Sequence, residues 1–211
     1  MRRFLLVGLL FFQMFSLKAD WTKCPKPAGV YPFSLDTHSD TIYLGTLQHG
    51  MYRSYDGGSN WTEINSGIVN KQIWTVYYSG TILLAAATNG NVYRSTNKGD
   101  SWEAASGIGS TTIVRSFAAY DGKMFAASNN RGVYISTDNG LSWTQHNSGI
   151  VGLVSTALLV AENDLYAGVL QSVYKYDRST QTWSNKGSGL PNNSISCLTY
   201  NSKNRILFAG N

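Results

Sequence analysis

Eight residues from Ser54 to Trp61, SYDGGSNW, set a carboxylate among glycines beside an indole. An acid on a glycine turn has two obvious chemical uses, as a ligand for a divalent cation or as one carboxylate of a glycosidase pair. The spacing recurs as STNKGDSW from Ser95 and STDNGLSW from Ser136, and more loosely as YDRSTQTW from Tyr176. These copies discriminate between the uses. Asn97 stands where Asp56 and Asp138 stand, which keeps an oxygen acceptor and loses the charge. A turn accepts that exchange, whereas a metal ligand or general acid normally does not. The fourth copy has Arg178 at that position, Asp177 displaced by one and Thr180 for the glycine, yet it keeps Trp183. No copy has the several oxygen ligands and terminal Glu of a calcium loop. A structural role is therefore expected for Ser54, Asp56, Gly58 and Trp61, for Ser95, Asn97, Gly99 and Trp102, for Ser136, Asp138, Gly140 and Trp143, and for Trp183. Burying an indole is worth at most about 4–6 kcal/mol, against about 1 kcal/mol for one turn hydrogen bond.

The elements that position these turns follow from a longer repeat. Trp21, Trp61, Trp102, Trp143 and Trp183 fall at intervals of 40, 41, 41 and 40 residues. Tyr52, Tyr93, Tyr134 and Tyr174 each lie nine residues before one of the last four. A Ser-Gly-Ile/Leu triplet follows each of those tryptophans, at Ser66, Ser106, Ser148 and Ser188. Each unit reads as four short strands, A to D; in the second, A is 73–78, B 82–87, C 91–95 and D 101–105. No segment has the periodicity of an amphipathic helix. The pattern predicts an all-β protein, a β-propeller of four-stranded antiparallel blades of about 41 residues, with four full blades and two partial ones. DWTKC resembles the start of a strand D, and ILFAGN ends the chain inside a fifth strand B, so the 20–211 propeller is expected to be incomplete at its C-terminal end. The small residues of strand B, in YLGT, LLAAAT and FAAS, are expected near the axis, where blades converge.

Ser-x-Asp-x-Gly-x-x-Trp resembles the Asp-box, or BNR, repeat of sialidases, xyloglucanases, the sortilin luminal domain and photosystem II assembly propellers, over residues 20–211. The resemblance implies a propeller and no single activity. YDRSTQTW looks like a kelch-type turn, and SGLPNNSISCL is similar to repeats of periplasmic two-component sensor propellers.

A glycosidase needs two carboxylates flanking the scissile bond. Among the twelve acids, Asp56, Asp100 and Asp138 fall in C–D turns, and Asp40, Asp121, Glu162 and Asp164 in A–B turns. Those turns share one end of a propeller, opposite the D–A and B–C loops where ligands usually enter. Glu63 and Glu103 follow strand D tryptophans, and Asp20 and Asp177 lie near box or terminal positions. Only Asp36, on the first strand A, is expected to face the channel, as a polar lining residue. Resemblance to sialidases would further imply three arginines, a tyrosine–acid pair and an Arg-Ile-Pro segment; VYPFSL occupies that last region. Arg53 and Arg94 recur at one strand C position and read as repeat surface residues. His38, His49 and His146 form no inferable triad or zinc site. No catalytic residue, metal or cofactor is expected.

Residues 1–19 read as a secretory signal peptide, with Arg2-Arg3, an apolar run from Phe4 to Leu17, and a cleavage site after Ala19. Its removal takes three cations and no acid, so the formal charge falls from +5 to +2 and no basic cluster marks a nucleic-acid footprint. Two cysteines, Cys24 and Cys197, suit an oxidising compartment without forming a framework. The expected location is secreted, periplasmic or cell-surface, without stable membrane insertion.

The ligand-face candidates are Gln48, His49, Asn89, Asn129, Asn130, Arg131 and Gln171 in B–C loops, and Asn70, Lys71, Asn192 and Asn193 in D–A loops. Trp74 begins a strand A without an evident counterpart in other units, and an aromatic among amides and an arginine suits a glycan or peptide. The expected function is an exported, non-enzymatic propeller binding a protein or glycan. The alternatives are a glycoside hydrolase whose catalytic residues lie partly past residue 211, and the sensor propeller of a two-component receptor.

Overall fold

Alternating apolar residues and turn signals at every fifth to tenth position build strands too short to bury a face alone, so the sheets must stack. A computed structural model describes residues 25–27, 29–190 and 194–211. Four antiparallel sheets follow in chain order, each with its strands in sequence order. Blade 1 comprises β1 (Pro32–His38), β2 (Thr41–Thr46), β3 (Met51–Ser54) and β4 (Thr62–Glu63). Blade 2 comprises β5 (Ile73–Tyr78), β6 (Leu83–Ala87), β7 (Val92–Ser95) and β8 (Glu103–Ala104). In blade 3 these are β9 (Val114–Tyr120), β10 (Lys123–Ser128), β11 (Gly132–Ser136) and β12 (Thr144–Gln145). In blade 4 they are β13 (Ser155–Ala161), β14 (Asp164–Val169), β15 (Ser172–Asp177) and β16 (Thr182–Asn185). A two-stranded sheet, β17 (Cys197–Asn201) with β18 (Ile206–Gly210), follows. Successive A strands contact one another, β1 with β5, β5 with β9, β9 with β13 and β13 with β17. This is a β-propeller, with strand A innermost and the described residues free of helix. The expected segment at Trp21 lies outside the described residues.

The core lies between blades. In strand B of blade 2, Leu83, Ala85 and Ala87 pack towards blade 1 with Tyr43, Met51 and Ile64. Ile82 and, within β6, Leu84 and Ala86 pack towards blade 3 with Phe117, Met124 and Trp143. Both faces of this strand are buried, so its apolar run is continuous rather than alternating. The small residues of strand B do not lie nearest the axis, where strand A is; they admit strand A of the next blade. At Gly45 a Cβ would stand 2.8 Å from Ile73 Cγ2 and Val76 Cγ2.

Strand D of blade 2 is shorter than expected, because Trp102 N–H leaves its own sheet and donates to Ser66 O of blade 1 at 2.8 Å. The Ser-Gly-Ile/Leu triplets are the other half of this joint. Trp143 N–H donates to Ser106 O at 3.0 Å and Trp183 N–H to Ser148 O at 2.8 Å. The following Gly107 has φ +91, and a Cβ there would lie 1.9 Å from the Trp143 carbonyl oxygen. Only glycine tolerates both demands.

Candidate ligand-binding face

Each turn between strands C and D closes on its own acceptor. Ser54 Oγ donates to Asp56 Oδ1 at 2.8 Å and accepts from Gly58 N–H at 2.9 Å. Asp56 Oδ1 also accepts from Asn60 N–H at 2.8 Å. The second copy repeats this with an amide: Asn97 Oδ1 accepts from Ser95 Oγ at 2.8 Å and Ser101 N–H at 3.0 Å, and Asn97 Nδ2 donates to Ser101 Oγ at 2.9 Å. In the third, Asp138 Oδ1 accepts from Ser136 Oγ at 2.7 Å, Leu141 N–H at 3.1 Å and Ser142 N–H at 2.9 Å. Donors on the charged form hold Asp56 and Asp138 at about 2, chiefly from Asn60 and Ser142 respectively. The fourth turn has different wiring, with Asp177 Oδ1 accepting from Ser179 N–H at 2.8 Å and Ser179 Oγ at 2.6 Å.

The indoles do more than underlie their own loops. Trp143 Nε1–H does reach its own Gly140 O at 3.0 Å. Trp102 Nε1–H instead donates to Ile64 O at 2.7 Å and Trp183 Nε1–H to His146 O at 3.0 Å, both on the preceding blade. Trp61 Nε1–H donates to Pro25 O at 2.9 Å. Arg53 and Arg94 also differ from the surface residues expected, with side chains only 11% and 14% exposed. Arg53 Nη1 donates to Lys98 O at 2.7 Å and pairs with Asp100, while Arg94 Nε donates to Asn139 O at 2.8 Å and the guanidinium pairs with Glu103. Each clamps the C–D turn of the next blade.

At the channel, Asp36 joins blades. Its Oδ2 accepts from Tyr78 N–H of the next strand A at 2.5 Å, and its Oδ1 from Thr37 N–H at 2.8 Å. Burial raises its carboxyl above the usual 3.8, against these donors, which lower it. Tyr77 Oη accepts from Ala119 N–H at 2.9 Å and Ser116 Oγ from Leu158 N–H at 3.2 Å, so the next joint uses a phenol at the equivalent position and the one after it a hydroxyl elsewhere on strand A.

On the opposite end from the D–A loops, a cleft of about 460 Å³ is lined by Tyr120, Asp164, Lys175, Asp177 and Arg178. Asp164 there pairs with Lys175 at 2.8 Å, and Asp177 is engaged by its turn. A smaller cleft of about 210 Å³ holds a tyrosine–acid pair, Tyr200 Oη donating to Glu162 Oε1 at 2.6 Å with Arg205 on the same carboxylate. That carboxylate raises the Tyr200 phenol, which opposes use as a phenolate nucleophile. Among the described residues, no three His, Cys, Asp or Glu side chains converge for a metal. His38 packs edge-on to Tyr78, and His146 against Tyr176, where burial lowers its imidazole below the usual 6.5.

The loop candidates divide by what their polar groups already hold. Gln48, Asn89 and Gln171 are exposed, and Asn89 Oδ1 accepts from Asn91 N–H at 3.3 Å. His49 O accepts from Asn65 Nδ2 at 2.8 Å, and Asn65 Oδ1 takes Met51 N–H at 2.7 Å. Asn147 repeats this latch, with Val133 N–H on its Oδ1 at 2.8 Å and its Nδ2 on Arg131 O at 2.9 Å. Asn65 and Asn147 carry these loops and went unmarked in the sequence, although both lie four residues after a repeat tryptophan. Asn70 Oδ1 takes Gln72 N–H at 2.9 Å, Lys71 pairs with Glu63 at 3.3 Å, Asn129 Oδ1 takes Ile113 N–H at 3.0 Å, and Asn130 Nδ2 donates to Thr111 O at 3.1 Å. Asn192 and Asn193 lie outside the described residues.

Trp74 does have counterparts. Phe33, Arg115 and Thr156 stand at intervals of 41 residues from one another through Trp74, one per strand A. The A–B pairing skips a residue at each, between Pro32 and Ser34, Ile73 and Thr75, Val114 and Ser116, and Ser155 and Ala157. Such bulges re-aim a side chain. Here they bring neighbouring blades together at the D–A end of the channel. The Phe33 and Trp74 ring centroids are 4.5 Å apart, and the Arg115 guanidinium carbon lies 4.3 Å from the Trp74 ring centroid. Phe33 stays 43% exposed, and the buried Arg115 Nε has no hydrogen-bond partner. Different residue types at one repeat position hid this set from a search for identity.

The sequence model of the DUF6242 beta propeller domain matches residues 70–211. No curated protein matches the chain by sequence. Solved structures share the fold at low identity. The extracellular domain of BT4673 from B. thetaiotaomicron is 17% identical with a TM-score of 0.69, covering 90% of this chain and 27% of its own. YCF48 from Cyanidioschyzon merolae is 15% identical at a TM-score of 0.63, with 86% and 63% covered, and YCF48 is also known bound to D1 peptide. An ancestral GH74 enzyme is 22% identical at 0.61, with 74% and 25% covered. The chain thus spans between about a quarter and just under two thirds of these structures. Among the described residues, no helix is long and apolar enough to cross a membrane.

Proposed function

The chain belongs to the DUF6242 beta propeller domain family, and from that premise we propose that it is an exported, non-enzymatic propeller binding a protein or glycan at the D–A and B–C end of its channel. The observation that carries this reading is the contact of Phe33, Trp74 and Arg115 from three successive blades. An aromatic and guanidinium surface held on strands, rather than on loops, is preorganised for recognition. The turns from Ser54, Ser95 and Ser136 are Asp-box repeats with a structural role, and residues 1–19 are a signal peptide that delivers the 20–211 propeller to the periplasm, cell surface or medium. The carboxylates support the non-enzymatic reading, since Asp36, Asp56, Asp138 and Asp177 accept backbone N–H groups and Asp164 and Glu162 face cations.

Screening the exported chain against oligosaccharide and peptide arrays tests this. Binding should fall in Trp74→Ala and persist in Asp138→Asn. Turnover of any bound probe, abolished by Asp36→Asn or Glu162→Gln, would overturn the non-enzymatic reading. A second reading, the sensor region of a receptor, is favoured by the similarity of 90% of the chain to part of the extracellular domain of BT4673. It requires a membrane-spanning segment and a signalling domain in the same polypeptide.

A further inference from the structure

We propose that the channel mouth recognises an acidic pyranose, a hexuronic acid unit of an oligosaccharide, with its carboxylate on Arg115 and its ring against Phe33 and Trp74. This rests on the reading of that end as the ligand-binding face and adds the class of ligand. The argument begins with charge. Arg53, Arg94 and Arg205 each pair with a carboxylate, on Asp100, Glu103 and Glu162, and Arg131 and Arg178, with no such pair, are exposed to solvent. Arg115 has no ion pair among the described residues, although it is half-buried and its Nε is shielded from solvent without a partner. A guanidinium so placed attracts an anion more strongly than a fully solvated one.

Geometry then selects the anion. The guanidinium carbon stands over the Trp74 ring at 4.3 Å and Nε is shielded, which leaves the two Nη groups to meet a ligand. Those donors match a carboxylate in a fork-on-fork arrangement. The exposed Phe33 ring beside Trp74 offers an apolar surface to the C–H face of a pyranose. A hexuronic acid combines these features, since its C5 carboxylate extends outward from the ring that stacks.

A peptide main chain meets an obstacle on the inner strands. One N–H on each of three of them, at Tyr78, Ala119 and Leu158, is already held by Asp36, Tyr77 and Ser116, so strand addition finds these donors taken. Side-chain groups remain at the mouth, and a sugar is recognised through such groups.

Titration calorimetry of the 211-residue chain with trimers of galacturonate and mannuronate, and a tetramer of hyaluronan, tests the proposal. At least one should bind, and its methyl ester should bind about tenfold or more weakly, because the ester cannot accept a bidentate charged pair. Arg115→Gln should lose about tenfold or more while Arg115→Lys loses less, with unchanged circular dichroism and melting midpoint. The ester comparison needs no variant and stands even if Arg115→Gln fails to fold. Failure of all three uronates to bind, equal binding of ester and acid, or full affinity in folded Arg115→Gln would each overturn the proposal. Trp74-dependent binding of neutral galactotriose or of a peptide, without preference for acid, would overturn the acidic-sugar inference and leave the ligand-binding reading standing. Absence of any Trp74-dependent binding would end both.

Discussion

At Asp138 the N–H groups of Leu141 and Ser142 and the hydroxyls of Ser136 and Ser142 all converge on one carboxylate. The folded state therefore holds this carboxyl at about 2, below its usual 3.8, and Asp56 likewise. A depressed carboxyl contributes stability that is complete above the unfolded value and is lost as the pH falls from 3.8 through about 2. Asp138→Asn keeps the acceptor and can donate to Ser142 as Asn97 does to Ser101. Urea melts at neutral pH should shift by less than about 1 kcal/mol, and the variant should lose less stability than the parent on acidification through that window. Trp102 is the opposite case, a residue 7% exposed whose indole is bonded to Ile64 of the preceding blade. Trp102→Ala should cost about 3–5 kcal/mol in the same melts, from the cavity and the lost contact between blades. The reverse ordering of these two variants would defeat the structural reading of the box.

Between elements, the same joint is built three times and can be tested against the glycine of the fourth Ser-Gly triplet in the 211-residue chain. Gly107 faces the Trp143 carbonyl, while a Cβ at Gly189, with φ +86, would meet nothing within 4 Å. Gly189→Ala should show only the cost of a left-handed backbone, about 1–2 kcal/mol, whereas Gly107→Ala adds a backbone clash and should cost clearly more. Equal losses in thermal melts would mean that the Ser-Gly triplets are turns and not joints. Asp36 has the opposite sign to Asp138. Its carboxyl is raised by burial, so the folded state binds the proton more tightly and stability falls as the pH rises above 3.8 through the raised value. Asp36→Asn retains an acceptor for Tyr78 N–H and should match or exceed the parent in stability at neutral pH. A loss there would show that the charge itself holds blades 1 and 2 together.

Within the 211-residue chain, stability should decline towards β17 and β18. Blades 2 and 3 are buried on both sides, while β17 and β18 form a two-stranded sheet with alternately exposed residues such as Ile206 and Phe208. Two strands alone are marginal in water. Hydrogen exchange of the 211-residue chain should release the amides of residues 197–210 well before those of β6 and β10, and uniform protection would contradict this order. The proposed ligand surface lies on the blade side of this gradient, with Phe33, Trp74 and Arg115 all on strands.

Much of this was legible in the chain because repetition is legible. A period near 41 residues, with Trp, Tyr and Ser-Gly in step, determined four-stranded blades and their order. The exchange of Asp for Asn at residue 97 already pointed to a turn acceptor, since local hydrogen bonds follow from local spacing. What one blade does to the next was decided only by the tertiary structure. Partners such as Arg53 and Lys98, or Asp36 and Tyr78, lie more than forty residues apart, and nothing in the spacing says which faces meet. The mouth is the clearest instance. Phe33, Trp74, Arg115 and Thr156 share a repeat position but not a residue type, and only the folded stack, with a bulge in each strand A, brings Phe33, Trp74 and Arg115 into contact.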